Sequence, residues 1–239
     1  MKTIFHSENS RGHANHGWLN AKHSFSFASW YNPERVHFGT LRVLNDDTVS
    51  PGMGFGTHPH DNLEIITIQL QVAIAYKDSM RNSATIQAGE VQVMSAGTGV
   101  QHSEFNPNED QDLKLFQIWL FPNKRNVQPR YDQQKIAVDE HPNELVQILS
   151  PNPDDAGVWI HQDAWFHMGK FTEDQSVTYT FKNPANGLYV MQVEGSSVIE
   201  GQQLNRRDAL GIVDTSAVTL HITKGSTVLL MEVPMEVKL

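Results

Sequence analysis

The amino-acid sequence predicts an all-β protein built from two stacked antiparallel β-barrels of the jelly-roll type. Short alternating or β-branched runs recur along the chain, and turn-forming clusters separate them. No stretch keeps the helical period of about 3.6 residues. Many short strands with spaced turns are typical of sandwiches and barrels. An internal repeat indicates that there are two such units.

The predicted strands combine β-branched and aromatic residues with a period of two. Clusters such as Pro51-Gly52 and Ala88-Gly89 end them, and helix is expected only as short turns. The predicted strands are residues 37–44, 64–70, 84–86, 90–94, 113–121, 175–181, 188–193, 217–223 and 226–233.

Two parts of the chain share one pattern of strand, turn, strand and a corner marked by Gly or Asp. They fall within residues 65–91 and 188–211. Between them, the polar, proline-containing segment 122–139 is the predicted linker. We therefore predict an N-terminal domain over residues 1–134 and a C-terminal domain over residues 135–239.

The composition excludes several classes of function. The 239 residues contain no cysteine, which removes disulfides, thiolate zinc sites, iron–sulfur clusters and cysteine nucleophiles. A net charge of −9 argues against nucleic acid as a partner, because such binding needs a clustered basic surface. Histidine, the other common ligand for transition metals, occurs 12 times. Any transition-metal chemistry must therefore use imidazole and carboxylate ligands.

The sequence also bears on location. Residues Met1–His6 have no apolar core of the kind that a secretory signal needs. No apolar run approaches the roughly 18–20 residues that span a bilayer. We therefore expect a cytoplasmic protein with no membrane partner.

Two short motifs carry the predicted chemistry. In an extended strand, residues i and i+2 point to the same face, so His58 and His60 project together, as do His102 and Glu104. Two such strands can build a site of three imidazoles and one carboxylate. This set suits Fe(II), Mn, Ni, Cu or Zn and leaves coordination positions for other ligands.

Other polar residues are weaker candidates. Glu64 is predicted either to point inward as a further ligand or to hydrogen-bond within the barrel, holding a ligand histidine. The spacing of His13, His16 and His23 matches no strand pair, so we expect these three histidines to be structural.

The motifs resemble those of the pirin family within the cupin superfamily. The resemblance is dense across residues 10–125 and thinner beyond. The matching stretches are Arg11-Gly12, His16-Gly17-Trp18-Leu19, His23-Ser24-Phe25-Ser26-Phe27, residues 41–47, Gly54–His60, Glu64-Ile65-Ile66-Thr67, Lys77-Asp78-Ser79-Met80 and residues 94–106.

The resemblance implies a bicupin with one metal, usually iron, in the N-terminal barrel and none in the C-terminal barrel. Carried over by position, the ligands are His58, His60, His102 and Glu104. Similar bacterial proteins include quercetin 2,3-dioxygenases, which open the central ring of a flavonol with dioxygen and release carbon monoxide. Glu104 is then also the expected catalytic base. We expect Phe38, Phe55 and Ile66 to shape the substrate pocket.

Three positions depart from the family pattern. Val72 stands where a glycine is expected, Tyr76 where histidine is common, and Arg81 where glycine is frequent. A β-branched side chain at Val72 is strained if the turn requires a positive φ. These departures bear on access to the pocket and leave the ligand set unchanged.

Two other functions stay open at this stage. The first is a metal-containing protein without enzymatic activity that regulates a partner protein according to the redox state of the metal. The second is a cupin isomerase of phosphorylated sugars, for which only Lys77 and Arg42 offer inward positive charge.

Overall fold

The structure, a computed structural model that describes residues 1–238, is almost entirely β. The strands of the first half are β1 (Lys2–His6), β2 (Gly12–Asn15), β3 (Leu19–His23), β4 (Leu41–Val49), β5 (Gly54–His60), β6 (Glu64–Gln71), β7 (Ile74–Asp78), β8 (Ser83–Ile86), β9 (Glu90–Ser95), β10 (Val100–Phe105), β11 (Leu113–Leu120) and β12 (Arg130–Lys135).

The second half of the chain also consists of short strands. Its strands are β13 (Val146–Ser150), β14 (Val158–Trp159), β15 (Trp165–Phe171), β16 (Gln175–Thr180), β17 (Asn186–Glu194), β18 (Ser197–Ile199), β19 (Gln202–Leu204), β20 (Ala209–Val213), β21 (Ala217–Ile222) and β22 (Ser226–Pro234). Within residues 1–238 the helices are two 3₁₀ turns, Glu8–Ser10 and Ala137–Asp139. None of the helices described is long and apolar enough to cross a membrane.

Each half contains one large and one small sheet. In the N-terminal half, a seven-stranded sheet runs β12-β9-β6-β11-β4-β3-β2 and a four-stranded sheet runs β5-β10-β7-β8. In the C-terminal half, the corresponding orders are β1-β20-β17-β22-β15-β13-β14 and β16-β21-β18-β19. The all-β bicupin prediction is confirmed.

Three apolar cores hold the four sheets together. Tyr76 and Ile86 of the small N-terminal sheet pack with residues of the large one, such as Leu115. An equivalent core fills the C-terminal barrel. The third core joins Phe116 of β11 to Phe166 of β15, so the two large sheets pack face to face between the barrels.

The domain organisation has one feature that the repeat did not predict. Strand β1 pairs with β20 in the C-terminal sheet, so the N-terminus of the chain completes the opposite half. The predicted linker contains strand β12, which pairs with β9 of the N-terminal barrel. The boundary between residues 134 and 135 stays a prediction.

A buried ion pair also links the halves. The guanidinium of Arg207 in the C-terminal half lies 2.9 Å from the carboxylate of Asp46 on β4. Arg11 approaches the same carboxylate at 3.8 Å, and both arginine side chains are almost fully buried. Because a buried charge is costly without a partner, Asp46 stabilises the packing of the two halves.

Candidate metal centre

The metal-ligand motifs lie on neighbouring strands of the small N-terminal sheet. Strands β5 and β10 are antiparallel, and His58 lies directly opposite His102. Two residues further along β10, Glu104 lies opposite Phe55, which is three residues before His58. The extra residue makes a β-bulge in β5. The bulge changes the simple alternation on which the sequence prediction relied.

Three of the four predicted ligands come together. One ligand atom from each of His58, His60 and His102 lies within 4.8 Å of the others. The Nε2 atoms of His58 and His102 are 2.9 Å apart. Two imidazole nitrogens that bind one ion at right angles, each at roughly 2.0–2.1 Å, are separated by about 2.8–3.0 Å. The spacing therefore fits a shared transition-metal ion.

The protonation of these rings suits metal binding. The Nδ1 atom of His58 lies 2.8 Å from the carbonyl oxygen of Gly56. A carbonyl oxygen can only accept a hydrogen bond, so in the neutral ring of His58 the hydrogen is on Nδ1 and Nε2 keeps its lone pair. Burial, together with the neighbouring His58, lowers the pKa of His60 to about 4, and burial with both neighbouring histidines lowers that of His102 to about 3. His60 and His102 can therefore present neutral nitrogen donors near pH 7.

Glu104 lies beside the histidines without joining their cluster. Its carboxylate is buried and accepts hydrogen bonds from the amide of Gln117 at 3.2 Å and the hydroxyl of Thr67 at 3.4 Å. Burial raises the pKa of Glu104 to about 7, although both hydrogen bonds act in the opposite direction. The carboxylate belongs to the same cavity, and its role as fourth ligand stays a prediction.

The histidines and Glu104 line a cavity of about 260 Å³. This volume is near the lower end of ordinary small-molecule sites, which span roughly 300–1,000 Å³. Most of the lining is apolar, and Phe55 contributes to it as the sequence predicts. The expectation for Phe38 and Ile66 is wrong, because both pack in the core between the large sheets. Their side chains face away from the histidine cluster.

Sequence reasoning missed the opposite wall of the cavity. Trp119 on β11 packs its ring 5.0 Å from the ring of His60, and Phe27 stands edge-on to Trp119 at 5.4 Å. Asn45 and Asp47 of β4 also line the cavity. The available signal was the alternate spacing of Asn45 and Asp47, which places both polar side chains on one face of β4.

The N-terminal histidines have mixed positions. His13 hydrogen-bonds Asn20 at 2.8 Å and His23 hydrogen-bonds Asn45 at 2.8 Å, in keeping with structural roles. However, His16 and His23 also line the cavity, which the sequence analysis did not anticipate. None of the three belongs to the histidine cluster described above.

Glu64 lies at the seam between the barrels. Its carboxylate accepts a hydrogen bond from the hydroxyl of Ser95 at 2.7 Å, and the backbone of His161 in the C-terminal half is close enough to lower its pKa. Burial raises the pKa of Glu64 to about 7. Of the two predictions for Glu64, hydrogen bonding within the protein matches these contacts. They connect β6 to the C-terminal half.

The three departures from the family pattern have local consequences. Val72 has φ +53° and Arg81 has φ +75°, so both occupy the left-handed region that favours glycine. The side-chain amide of Gln69 donates to the carbonyl of Val72 and holds that turn. Tyr76 lies 5.6 Å from the ring of His102 and donates its hydroxyl to Asp78 at 2.9 Å.

Family models match both halves of the chain. Residues 4–120 match the model described as Pirin. Residues 147–233 match the model described as Quercetinase C-terminal cupin domain. The two matches fall on the two halves that the sheets define.

Individual relatives cover nearly the whole chain. Quercetin 2,3-dioxygenase of Escherichia coli strain K12 is 39% identical over 226 residues, which cover 95% of this chain and 96% of that protein. A pirin-like protein of Caulobacter vibrioides is 36% identical over 222 residues, covering 92% and 95%. The crystal structure of the bacterial pirin YhhW from Escherichia coli in complex with nickel(II) superposes with a TM-score of 0.92 at 38% identity, covering 98% of this chain and 99% of that one.

Proposed function

The chain belongs to the pirin family, and from that premise we propose that it is a metal-dependent dioxygenase that cleaves flavonols such as quercetin. The observation that carries the proposal is the cluster of His58, His60 and His102, which opens into a largely apolar cavity. A full-length relative named quercetin 2,3-dioxygenase supports it.

The proposed metal ligands are the three histidines together with Glu104. Three imidazoles and a carboxylate accept several divalent ions, and a relative has been crystallised with nickel(II). We propose Fe(II) as the bound ion, and Ni, Cu, Mn and Zn are the alternatives to be tested. When bound, the ion supplies Lewis-acid stabilisation to a substrate oxyanion and a place for dioxygen to react.

Glu104 is the proposed catalytic base. It accepts the proton of the central-ring hydroxyl of the flavonol, which leaves an electron-rich oxyanion for oxidation. The amide of Gln117 and the hydroxyl of Thr67 already contact this carboxylate, so they hold its orientation while the proton moves. Because Glu104 is buried, bulk water does not compete for that proton.

The cavity walls suit an aromatic substrate. Phe27, Phe55 and Trp119 line the cavity and offer ring faces and edges to a planar ligand. Trp18 packs edge-on against Phe55, with 5.4 Å between the two ring centroids. These contacts exclude water from the reacting carbon atoms.

The reaction balances without an external reductant. Both atoms of dioxygen enter the carbon skeleton, two carbon–carbon bonds of the central ring break, and the carbon that carried the hydroxyl leaves as carbon monoxide. The flavonol is oxidised and dioxygen is reduced. The proton taken by Glu104 passes to the carboxyl group of the ring-opened product.

The test uses protein purified without oxygen and loaded separately with Fe(II), Ni(II), Mn(II), Cu(II) or Zn(II). We expect at least one loaded form to consume dioxygen, bleach the flavonol absorbance of quercetin and release carbon monoxide in equal amounts. A Glu104→Gln variant is expected to lose this turnover. An Asp110→Asn variant, changed on an exposed loop, is expected to keep it.

The same experiment separates the second candidate. If the protein binds metal stoichiometrically and none of the loaded forms consumes dioxygen with quercetin, the dioxygenase proposal is wrong. A metal-containing regulator of a partner protein then becomes the better hypothesis. Its test is capture of a specific partner by the oxidised or the reduced metal form only.

A further inference from the structure

The wall of the cavity opposite the histidines carries polar atoms without partners. The Oδ1 atom of Asp47 and the Nε1 atom of Trp119 are buried and make no hydrogen bond within residues 1–238. Asp47 is 5% exposed, and both side chains line the cavity. Buried polar groups in native proteins are rarely left unpaired, and the exceptions call for an explanation.

The two residues lie well apart along the sheet that forms this wall. Strands β4 and β11 pair with Asp47 opposite Leu115, four residues from Trp119 along β11. At roughly 3.3 Å per residue, the Asp47 and Trp119 positions are separated by about 13 Å. Trp119 contacts the ring of His60 and therefore marks the metal end. Asp47 marks the remote end.

We propose that Asp47 and Trp119 are specificity-determining residues that select an elongated, hydroxylated aromatic ligand. The indole N–H of Trp119 donates to an oxygen atom at the metal end. Asp47 hydrogen-bonds a phenolic hydroxyl on the ring furthest from the metal. This inference rests on the proposed function and adds the residues that recognise the substrate.

The surroundings of Asp47 argue against a structural role or a cationic ligand. The nearby cations, Arg11 and Arg207, bind the adjacent carboxylate of Asp46 on the other face of β4. Burial, with the negative charges of Asp46 and Glu104, raises the pKa of Asp47 well above its ordinary value. The neutral acid is thereby favoured, and a neutral acid both donates to and accepts from a hydroxyl.

The test measures binding of two ligands to metal-loaded protein without oxygen, by titration of the ligand absorbance. Quercetin carries hydroxyls on its outer rings. 3-Hydroxyflavone keeps the central hydroxyl and keto group and lacks all the others. The variants are Asp47→Val, which removes the polar group at similar size, Trp119→Phe, which removes the N–H, and the exposed control Asp110→Val.

We expect Asp47→Val to weaken quercetin binding about tenfold, the usual effect of one lost hydrogen bond to a buried group, and to leave 3-hydroxyflavone binding within about twofold. Trp119→Phe weakens both ligands, because both keep the oxygens at the metal end. Asp110→Val changes neither. Equal effects of Asp47→Val on the two ligands, or no effect on either, would overturn the inference.

Thermal melting of the free protein gives a second readout. Replacing a buried, unpaired acid with a valine stabilises a strand, so Asp47→Val is expected to melt at a higher temperature than the wild type. A lower melting temperature, or failure to fold, shows a structural partner and contradicts the proposal. Oxygen consumption is measured separately. If turnover is absent and the difference between ligands persists, the dioxygenase proposal fails and the binding assignment survives.

Discussion

The Nε2 atoms of His58 and His102 lie 2.9 Å apart, although 44 residues separate them in sequence. The pairing of β5 with β10 sets this distance, and the bond from His58 Nδ1 to the carbonyl of Gly56 directs the Nε2 lone pair toward the partner ring. The protein backbone therefore holds these two imidazoles at the spacing that the proposed shared ion requires.

Replacing Gln117 tests how far metal binding depends on contacts beyond the ligands. Gln117→Leu removes the amide that donates to Glu104 at 3.2 Å. Loss of such an orienting hydrogen bond typically lowers metal affinity roughly 10–100-fold, and we expect that range here. Competition with a chelator measures it. Gln134→Leu, at an exposed position of β12, should behave as the wild type, and equal metal release from both variants contradicts the expectation.

The strained turn at Arg81 predicts a stabilising substitution. Arg81 is exposed and has φ +75°, so Arg81→Gly relieves left-handed strain without losing packing. After the entropy of glycine in the unfolded chain is subtracted, we expect the free energy of unfolding to rise by about 0.5–1 kcal/mol. Lys77→Gly, at an exposed position on β7 without positive φ, is expected to have the opposite sign. Urea unfolding measures both, and a destabilised Arg81→Gly would refute the strain argument.

The ion pair between the barrels predicts a large loss of stability. Asp46→Ala leaves the buried guanidinium of Arg207 without its 2.9 Å partner and Arg11 without its weaker one. We expect the free energy of unfolding to fall by about 3 kcal/mol. Asp214→Ala breaks the exposed pair with Lys2, also at 2.9 Å, and should cost much less, because solvent screens that pair. Similar losses in both variants would show that burial does not govern this contact.

Burial of Glu64 predicts a pH dependence of stability. Its pKa is about 7 in the folded protein, against an ordinary value of 4.5. The folded state therefore binds the Glu64 proton more tightly than the unfolded state does. The stabilisation that this proton gives the folded state is complete below pH 4.5 and is lost as the pH rises through 7. Glu64→Gln cannot titrate. Between pH 5 and pH 8, the free energy of unfolding of the wild type should therefore fall by roughly 2–3 kcal/mol relative to that of Glu64→Gln. Urea unfolding curves whose difference is independent of pH would contradict the burial argument.

Local sequence pattern predicted much of the fold and the cluster of three histidines in the candidate site. The alternation of β4, β6 and β11 and the intervening turns are encoded within a few residues, so the all-β class and most strands follow from sequence. The motif carrying His58 and His60 is equally local. The left-handed backbone at Val72 also follows from the position of the expected glycine.

Features that depend on distant pairing could not be predicted. The crossing of β1 to β20 joins residues some 200 positions apart, and no local pattern encodes it. Phe38 and Ile66 pack in the core between the barrels, and sequence alone could not separate this core from the cavity, because both faces of the large N-terminal sheet are buried. Asp47 and Trp119 enter the cavity through the register of β4 with β11, which sequence alone does not set.

The most direct test of the account is elemental analysis of protein purified without oxygen. We predict about one transition-metal ion per wild-type chain, loss of that ion in His102→Ala with folding retained, and its retention in the matched control His13→Ala. His102 supplies an Nε2 atom 2.9 Å from that of His58, whereas His13 hydrogen-bonds Asn20 outside the cluster. An unchanged metal content in folded His102→Ala would contradict the proposed metal centre, and with it the function built on it.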